Sequence, residues 1–271
     1  MLCHATQDAD ANIQTFAITG GKGGTGKSLL AVNLAIGVAQ AGSRTLLVDT
    51  DLGMAGLNLL LGVAPTKSLL DVLAGVPIEQ VLIRTHGIEL LPALNGSHLL
   101  ATLGTPGLRR ILGTIESLAS SFDTLVFDIA AGIGAAQTMF TGAAAGVIVV
   151  VNPEPQAIAG AYACLKALTT AQGMARAFVV PNRVQSQAHA DDVVAKLSTL
   201  VYRFLAMELV VLPAIPADPA VGDSAQTGVP LLLHAPQAPA ARAVRQLARV
   251  LRSLEHKPRS GWHTQRAQGG I

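Results

Sequence analysis

Short apolar runs alternate along this chain with longer stretches in which apolar residues recur every three or four positions. The runs at 15–19, 45–49, 88–91, 124–128, 147–151, 177–180 and 209–212 read as strands. Helical spacing fills the intervals. Leu29, Leu30, Val32, Leu34, Ala35 and Val38 share one pattern, and further patterns span 106–119, 156–172, 190–206 and 239–255. Strands separated by helices require right-handed crossovers, so the expected fold is α/β, a doubly wound and mostly parallel sheet with helices on both faces. With no long linker and no internal repeat, one domain is expected over 13–256, between a flexible N-terminus at 1–12 and a flexible basic tail at 257–271.

The junction between the first strand and the first helix carries the strongest chemical signal. Gly21-Lys22-Gly23-Gly24-Thr25-Gly26-Lys27-Ser28 satisfies the phosphate-loop pattern G-x-x-x-x-G-K-[ST], in the strand–loop–helix setting such a loop needs. The glycines let backbone N–H groups close round phosphate oxygens, and the helix N-terminus adds partial positive charge. Lys27 is spaced to reach the β- and γ-phosphates, and the Ser28 hydroxyl to ligate Mg2+. A glycine-rich stretch alone is also what a tight turn looks like. The apolar strand before it, the Lys27-Ser28 spacing and the acid-terminated run Leu46-Leu47-Val48-Asp49-Thr50-Asp51 favour a nucleotide site.

Ligands of doubly wound sheets bind at the carboxyl ends of the strands. Asp51 and Asp128 therefore share the rim that carries the glycine loop. Asp128 closes the run Leu125-Val126-Phe127, the arrangement that holds a Mg2+ water opposite the loop. The plainer alternatives are a helix cap for Asp128 and a turn residue for Asp51. The small residues of Ile129-Ala130-Ala131-Gly132-Ile133 suit a backbone that approaches the γ-phosphate and moves when it leaves.

Composition narrows the class. Half the residues are hydrophobic but only 3% are aromatic, so the core is built from Ala, Val, Leu and Ile. No apolar run reaches the roughly 18 residues of a membrane span, and the N-terminus does not read as a signal peptide; the cytoplasm is the expected compartment. Cys3 and Cys164 have no ligand spacing, which argues against a disulfide framework and an iron–sulfur cluster. The net charge of +2 hides an asymmetry: residues 242–271 hold seven of the 19 basic residues and a single acid, Glu255. That favours an anionic partner such as lipid or nucleic acid.

With Lys22 at the start of the loop, Lys22-Gly23-Gly24-Thr25-Gly26-Lys27-Ser28 resembles the deviant Walker A motif of the MinD/ParA class of P-loop ATPases. Within that class the chain is most similar to the MinD-like flagellar-number regulators, FlhG or FleN, from about residue 15 to 251. Asp49-Thr50-Asp51-Leu52-Gly53 is similar to the first switch of the class, and Asp128-Ile129-Ala130-Ala131-Gly132-Ile133 to the second. Pro153-Glu154-Pro155-Gln156-Ala157-Ile158 is similar to a further family stretch. Asn182-Arg183-Val184 and Ile215-Pro216-Ala217-Asp218-Pro219-Ala220-Val221 are similar to its adenine-side segments.

The resemblance implies an ATP-dependent homodimer binding ATP or ADP with Mg2+, in which Lys22 reaches its partner's phosphates. Asp51 positions the attacking water, Asp128 senses Mg2+ and the γ-phosphate, and Asn182 hydrogen-bonds the adenine edge, with Pro216 and Asp218 alongside. Slow hydrolysis then acts as a timer that controls flagellar number or placement. A flagellar GTPase and a flagellar transcription regulator are the implied partners. Three departures stand out. Gly56 and Asn58 replace the usual Asn and Asp after the first switch, Pro181 precedes Asn182 with displacement of the adenine-side loop as its expected effect, and 1–12 lacks the usual GTPase-stimulating segment.

In the last helical pattern Ala241, Val244, Leu247, Ala248, Leu251 and Leu254 share one face, and Arg242, Arg245, Arg249 and Arg252 the other. Two readings stay open. Either the apolar face lies on an anionic membrane, placing the protein peripherally at the inner face of the cell membrane, or it packs on the body and only the arginines meet solvent. DNA is the less favoured anionic partner. Other functions compatible with the same motifs are a spatial organiser for division, DNA partition or another polar structure, and a non-hydrolysing ATP-dependent scaffold.

Overall fold

The computed structural model describes residues 13–51, 56–93 and 104–254. The termini 1–12 and 257–271, Leu52-Gly53 of the first switch and Trp262 lie outside the described residues.

Strand β1 (Gln14–Thr19) runs through the glycine loop into α1 (Lys27–Gln40), followed by β2 (Thr45–Asp49). Two short helices, α2 (Leu57–Leu60) and α3 (Leu69–Leu73), lead to a hairpin of β3 (Ile83–Thr85) and β4 (Ile88–Leu91). Alternation then sets in: α4 (Thr105–Ala119), β5 (Thr124–Asp128), α5 (Ala135–Ala143), β6 (Gly146–Val151), α6 (Pro155–Gln172), β7 (Arg176–Val184), α7 (Gln187–Phe204) and β8 (Glu208–Val211). The described chain closes with β9 (Ile215–Pro216), α8 (Pro219–Thr227), α9 (Leu231–His234) and α10 (Pro239–Ser253).

The sheet order is β3-β4-β2-β5-β1-β6-β7-β8, with β9 paired to β7. Every pairing is parallel except β3 with β4 at the edge. This is the doubly wound, mostly parallel sheet that the strand–helix alternation implies. The order turns back at β1, flanked by β5 and β6, and the glycine loop leaves β1 at that switch point, where doubly wound sheets open a ligand crevice.

Successive strand residues point to opposite faces, so the apolar runs supply two cores at once. Ala17, Val48, Phe127 and Val149 enter one, covered by helices that include α4, α6 and α7. Phe16, Ile18, Leu47, Val126 and Val150 enter the other, with α1 and α10. Helix α1 is buried almost all round, from Leu30 through Val38, because α10 packs across its outer side.

That packing decides between the two readings of the last helix. Ala241, Val244, Leu247, Ala248 and Leu251 are buried in the second core, so this face is not free to lie on a lipid surface. Of the two readings, the structure has the one in which the apolar face packs on the body. Two of the arginines also have structural work: Arg252 donates to the Ala41 carbonyl at the end of α1, and Arg245 to the Leu232 carbonyl.

Pro181 sits inside a strand without breaking the sheet. Val179 accepts from Leu212 N on the β8 side, and two residues on Pro181 faces that same side, between the end of β8 and the start of β9. The register with β8 ends at Val179 and that with β9 begins at Asn182, so Pro181 falls between the two ladders, where a residue without an N–H is tolerated. The displacement expected from Pro181 does not occur: Asn182 is 8% exposed and lies against the glycine loop.

Candidate functional site

The glycine loop is fixed from two sides. Its Gly21 backbone meets α6 so closely that an added Cβ would sit 1.7 Å from the Gly160 carbonyl oxygen. Gly26, the residue before α1, has φ 92°, and a Cβ there would lie 2.6 Å from Asn182 Nδ2. Asn182 Nδ2 donates to the Thr25 carbonyl oxygen at 2.7 Å, tying the end of β7 to the loop.

Lys27 is buried, and its Nζ donates to the Lys22 carbonyl oxygen at 3.2 Å, on the loop's own backbone. Burial lowers its pKa, opposed by the charges of Asp128 and Asp51. Lys22 is exposed, with its Nζ 2.9 Å from Gln156 Oε1 at the start of α6.

On the facing strands, Asp49 and Asp128 are register partners on β2 and β5. Burial pushes the Asp128 carboxyl up to about 7, against a hydrogen bond from the Ser28 hydroxyl and the charge of Lys27. Its Oδ1 is buried with no hydrogen-bond partner among the described residues. Burial also raises Asp49, reinforced by the charge of Asp128. Asp49 accepts from the Asp51 and Leu57 backbone N–H groups, so it holds chain on both sides of the segment 52–55. Thr50 donates through both N–H and Oγ1 to the Asp128 carbonyl oxygen, at 3.1 and 2.6 Å.

Beside the loop lies a cavity of about 390 Å3, lined by Gly24, Gly26, Leu30, Asn182, Arg183, Pro216 and Asp218 among others. Asn33 of α1 also lines it and accepts from Leu232 N at 3.0 Å, which fixes α9 beside it. Asp218 lies in the wall, but its two carboxylate oxygens accept from Ala220 N and Ala240 N, each at 3.0 Å. Its carboxylate thus caps α8 and braces α10.

The structure therefore brings the loop, Asp51, Asp128, Asn182, Pro216 and Asp218 to one rim. It adds Asp49, Gln156, Asn33 and Arg183, none of which was singled out for a role from the sequence. Asp49 carried a legible signal as the last residue of an apolar strand. Gln156 and Asn33 act through tertiary contacts across α6 and α9, which one sequence does not display.

Residues 16–231 match the family model described as the CobQ/CobB/MinD/ParA nucleotide binding domain. The chain belongs to this family. Among MinD/ParA-family relatives, the antiactivator FleN of Pseudomonas aeruginosa is 37% identical over 216 residues, covering 79% of this chain and 77% of that protein. The flagellum site-determining protein YlxH of Helicobacter pylori is 36% identical over 162 residues, 59% of this chain and 55% of that protein. The septum site-determining protein MinD of Pyrococcus horikoshii, solved with Mg-ADP, superposes with a TM-score of 0.75 at 27% identity, covering 89% of this chain and 96% of that one. The MinD/ParA P-loop fold is thus shared across the described chain.

Proposed function

We propose that this chain is an ATP-binding switch that hydrolyses ATP slowly as a homodimer and sets flagellar number or placement. The observation that carries the reading is the buried pair of Lys27 and Asp128 behind a glycine loop, with Asp128 Oδ1 lacking a hydrogen-bond partner among the described residues. An unsatisfied buried carboxylate oxygen costs stability unless something binds it, and a Mg2+ ion with its waters fits that need. Among the described residues no cluster of three or more His, Cys, Asp or Glu could hold a metal by itself. Ser28 and Asp128 would hold Mg2+ together with phosphate oxygens, and the bound Mg2+–ATP supplies the phosphoryl group for transfer to water.

The chain's own residues divide the remaining work. Loop N–H groups and Lys27 bind phosphate, Asp51 orients the water, and Lys22 of one subunit neutralises charge at the other's site, as an arginine finger does. Asn182, with its Nδ2 committed to Thr25, offers Oδ1 to the amino edge of adenine. Pro216 and Asp218 shape the base cavity. A flagellar GTPase and a flagellar gene regulator are the partners this reading names, and the cytoplasm is its compartment. Among the described residues no helix is long and apolar enough to cross a membrane.

Likeness to FleN and YlxH supports the flagellar branch. A division-type organiser is the second reading, favoured by the likeness to solved MinD proteins. Two experiments test the proposal: ATP turnover and sedimentation of wild type against Lys27→Ala, and a count of flagella per cell after deletion of the gene. Turnover lost in Lys27→Ala together with a changed count supports it. Turnover indifferent to Lys27 refutes the ATPase, and an unchanged count moves the cargo to another structure.

A further inference from the structure

The hairpin of β3 and β4 turns on two residues, His86 and Gly87, with φ 48° and 82°. Two-residue hairpin turns with positive φ at both places favour asparagine, aspartate or glycine in the first. A histidine there pays in backbone strain for a side chain the turn itself does not use. The ring is used elsewhere. His86 Nε2 donates to the Leu61 carbonyl oxygen at 3.0 Å, 25 residues back along the chain. Leu61 ends α2, where a helix carbonyl has no donor within the helix.

Helix α2 has four residues, too few to hold together alone. It is held from outside at both ends. Its first residue, Leu57, gives its N–H to the Asp49 carboxylate, which also accepts from Asp51 N at 3.0 Å. Beyond its last turn Gly62 meets the backbone after α8, where an added Cβ would lie 2.8 Å from the Gly228 carbonyl oxygen.

We infer that His86 is a positioning residue for Asp51, acting through α2 and the Asp49 carboxylate. This rests on the hydrolytic reading above and deepens it. The relay runs from the ring to the Leu61 carbonyl, along one helical turn to Leu57 N–H, and across Asp49 to Asp51 N–H. Removing the ring frees the end of α2, and Asp49 then shares its carboxylate between Asp51 and a less fixed partner. Placement matters most for a group that orients attacking water, since a shift of about 1 Å can cost a hundredfold in rate. Phosphate is held by the glycine loop and not through α2, so the effect falls on turnover rather than on binding.

The test is steady-state ATP hydrolysis and calorimetric ADP–Mg2+ binding by the full chain, with the melting temperature of each variant. His86→Asn suits the turn but is too short to reach Leu61. Its kcat is expected to fall about fivefold, the size of one net hydrogen bond, with KM and ADP affinity unchanged. His86→Gly is expected to behave alike. His86→Gln restores the reach and an N–H donor in a poorer turn, so it is expected to melt lower than His86→Asn yet turn over faster. A merely structural role gives the reverse order, turnover following melting temperature, and that order overturns the inference. Wild-type turnover in both His86→Asn and His86→Gly, or ADP affinity lost in step with kcat, also overturns it and leaves the functional reading intact. A wild-type chain with no turnover overturns the functional reading itself, and this inference with it.

Discussion

Lys22 Nζ lies 2.9 Å from Gln156 Oε1, so within one chain the loop lysine is already held by the first turn of α6. Both residues are exposed, which limits such a bond to about 1 kcal/mol or less. Under the proposed cross-subunit role of Lys22, a lysine held in its own chain is not extended toward a partner, so the bond would weakly oppose the proposed dimer.

Gln156→Ala is therefore expected to tighten ATP-dependent self-association by up to about fivefold per subunit, or roughly 25-fold for the symmetric dimer, following from ~1 kcal/mol in each chain. Sedimentation equilibrium with saturating Mg2+–ATP reads the change directly. Lys22→Ala is expected to abolish turnover and leave nucleotide binding partly intact. Unaltered turnover would remove Lys22 from the cross-subunit role.

The Asn182–Thr25 bond joins the base cavity to the phosphate loop. Asn182→Ala strips a buried carbonyl of its donor, at a cost of about 1–3 kcal/mol. The expected result is a lower melting temperature without nucleotide, and ADP affinity reduced roughly ten- to a hundredfold. Asn182→Asp replaces the donor by an acceptor facing a carbonyl and is expected to be worse than alanine. An aspartate variant as stable as wild type would show that this bond does not brace the loop.

Asp128 makes nucleotide-free stability depend on pH. Burial pushes its carboxyl up to about 7, so the folded protein keeps a proton that the unfolded chain releases near its ordinary value of 3.8. A raised carboxyl contributes stability that is complete below the unfolded value and is lost as pH rises through about 7. Asp128→Asn removes that loss. Its melting temperature is expected to exceed wild type at pH 8, by on the order of 2–4 kcal/mol of stability, with the advantage shrinking toward pH 5. A pH-independent difference would show that Asp128 is already charged in the folded chain.

Much of this was legible in the sequence because the signals are local. The strands at 45–49, 88–91 and 124–128 are continuous apolar runs, and the structure has them with those bounds as β2, β4 and β5. β3 and β9 were not expected, since three half-exposed residues and a two-residue pairing carry no period to read. Helix α5 was missed because Ala135–Ala143 is mostly small residues with a weak apolar stripe. The loop pattern located Lys22, Lys27 and Ser28 on sight. Gln156, Asn33 and the bond from Asn182 to the Thr25 carbonyl depend on which strands and helices end beside the loop, and that is set by sheet order. Asp218 shows the opposite limit: its motif places it in the cavity wall, while its carboxylate is occupied by two helix ends.

The last helix separates two physical accounts with one substitution. Leu247 of α10 is fully buried in the second core. If α10 is part of the fold, Leu247→Ala leaves a cavity and costs about 2–5 kcal/mol, read as a lower urea midpoint with unchanged slope. If the helix instead left the body to lie on lipid, the same change would spare stability in solution and reduce sedimentation with anionic vesicles. The packing of α10 across α1 predicts the first outcome. A companion change, Arg249→Glu, tests the exposed basic face without touching the core. It is expected to leave the urea midpoint within about 0.5 kcal/mol of wild type, so any loss of vesicle or DNA binding in that variant reports on surface charge alone.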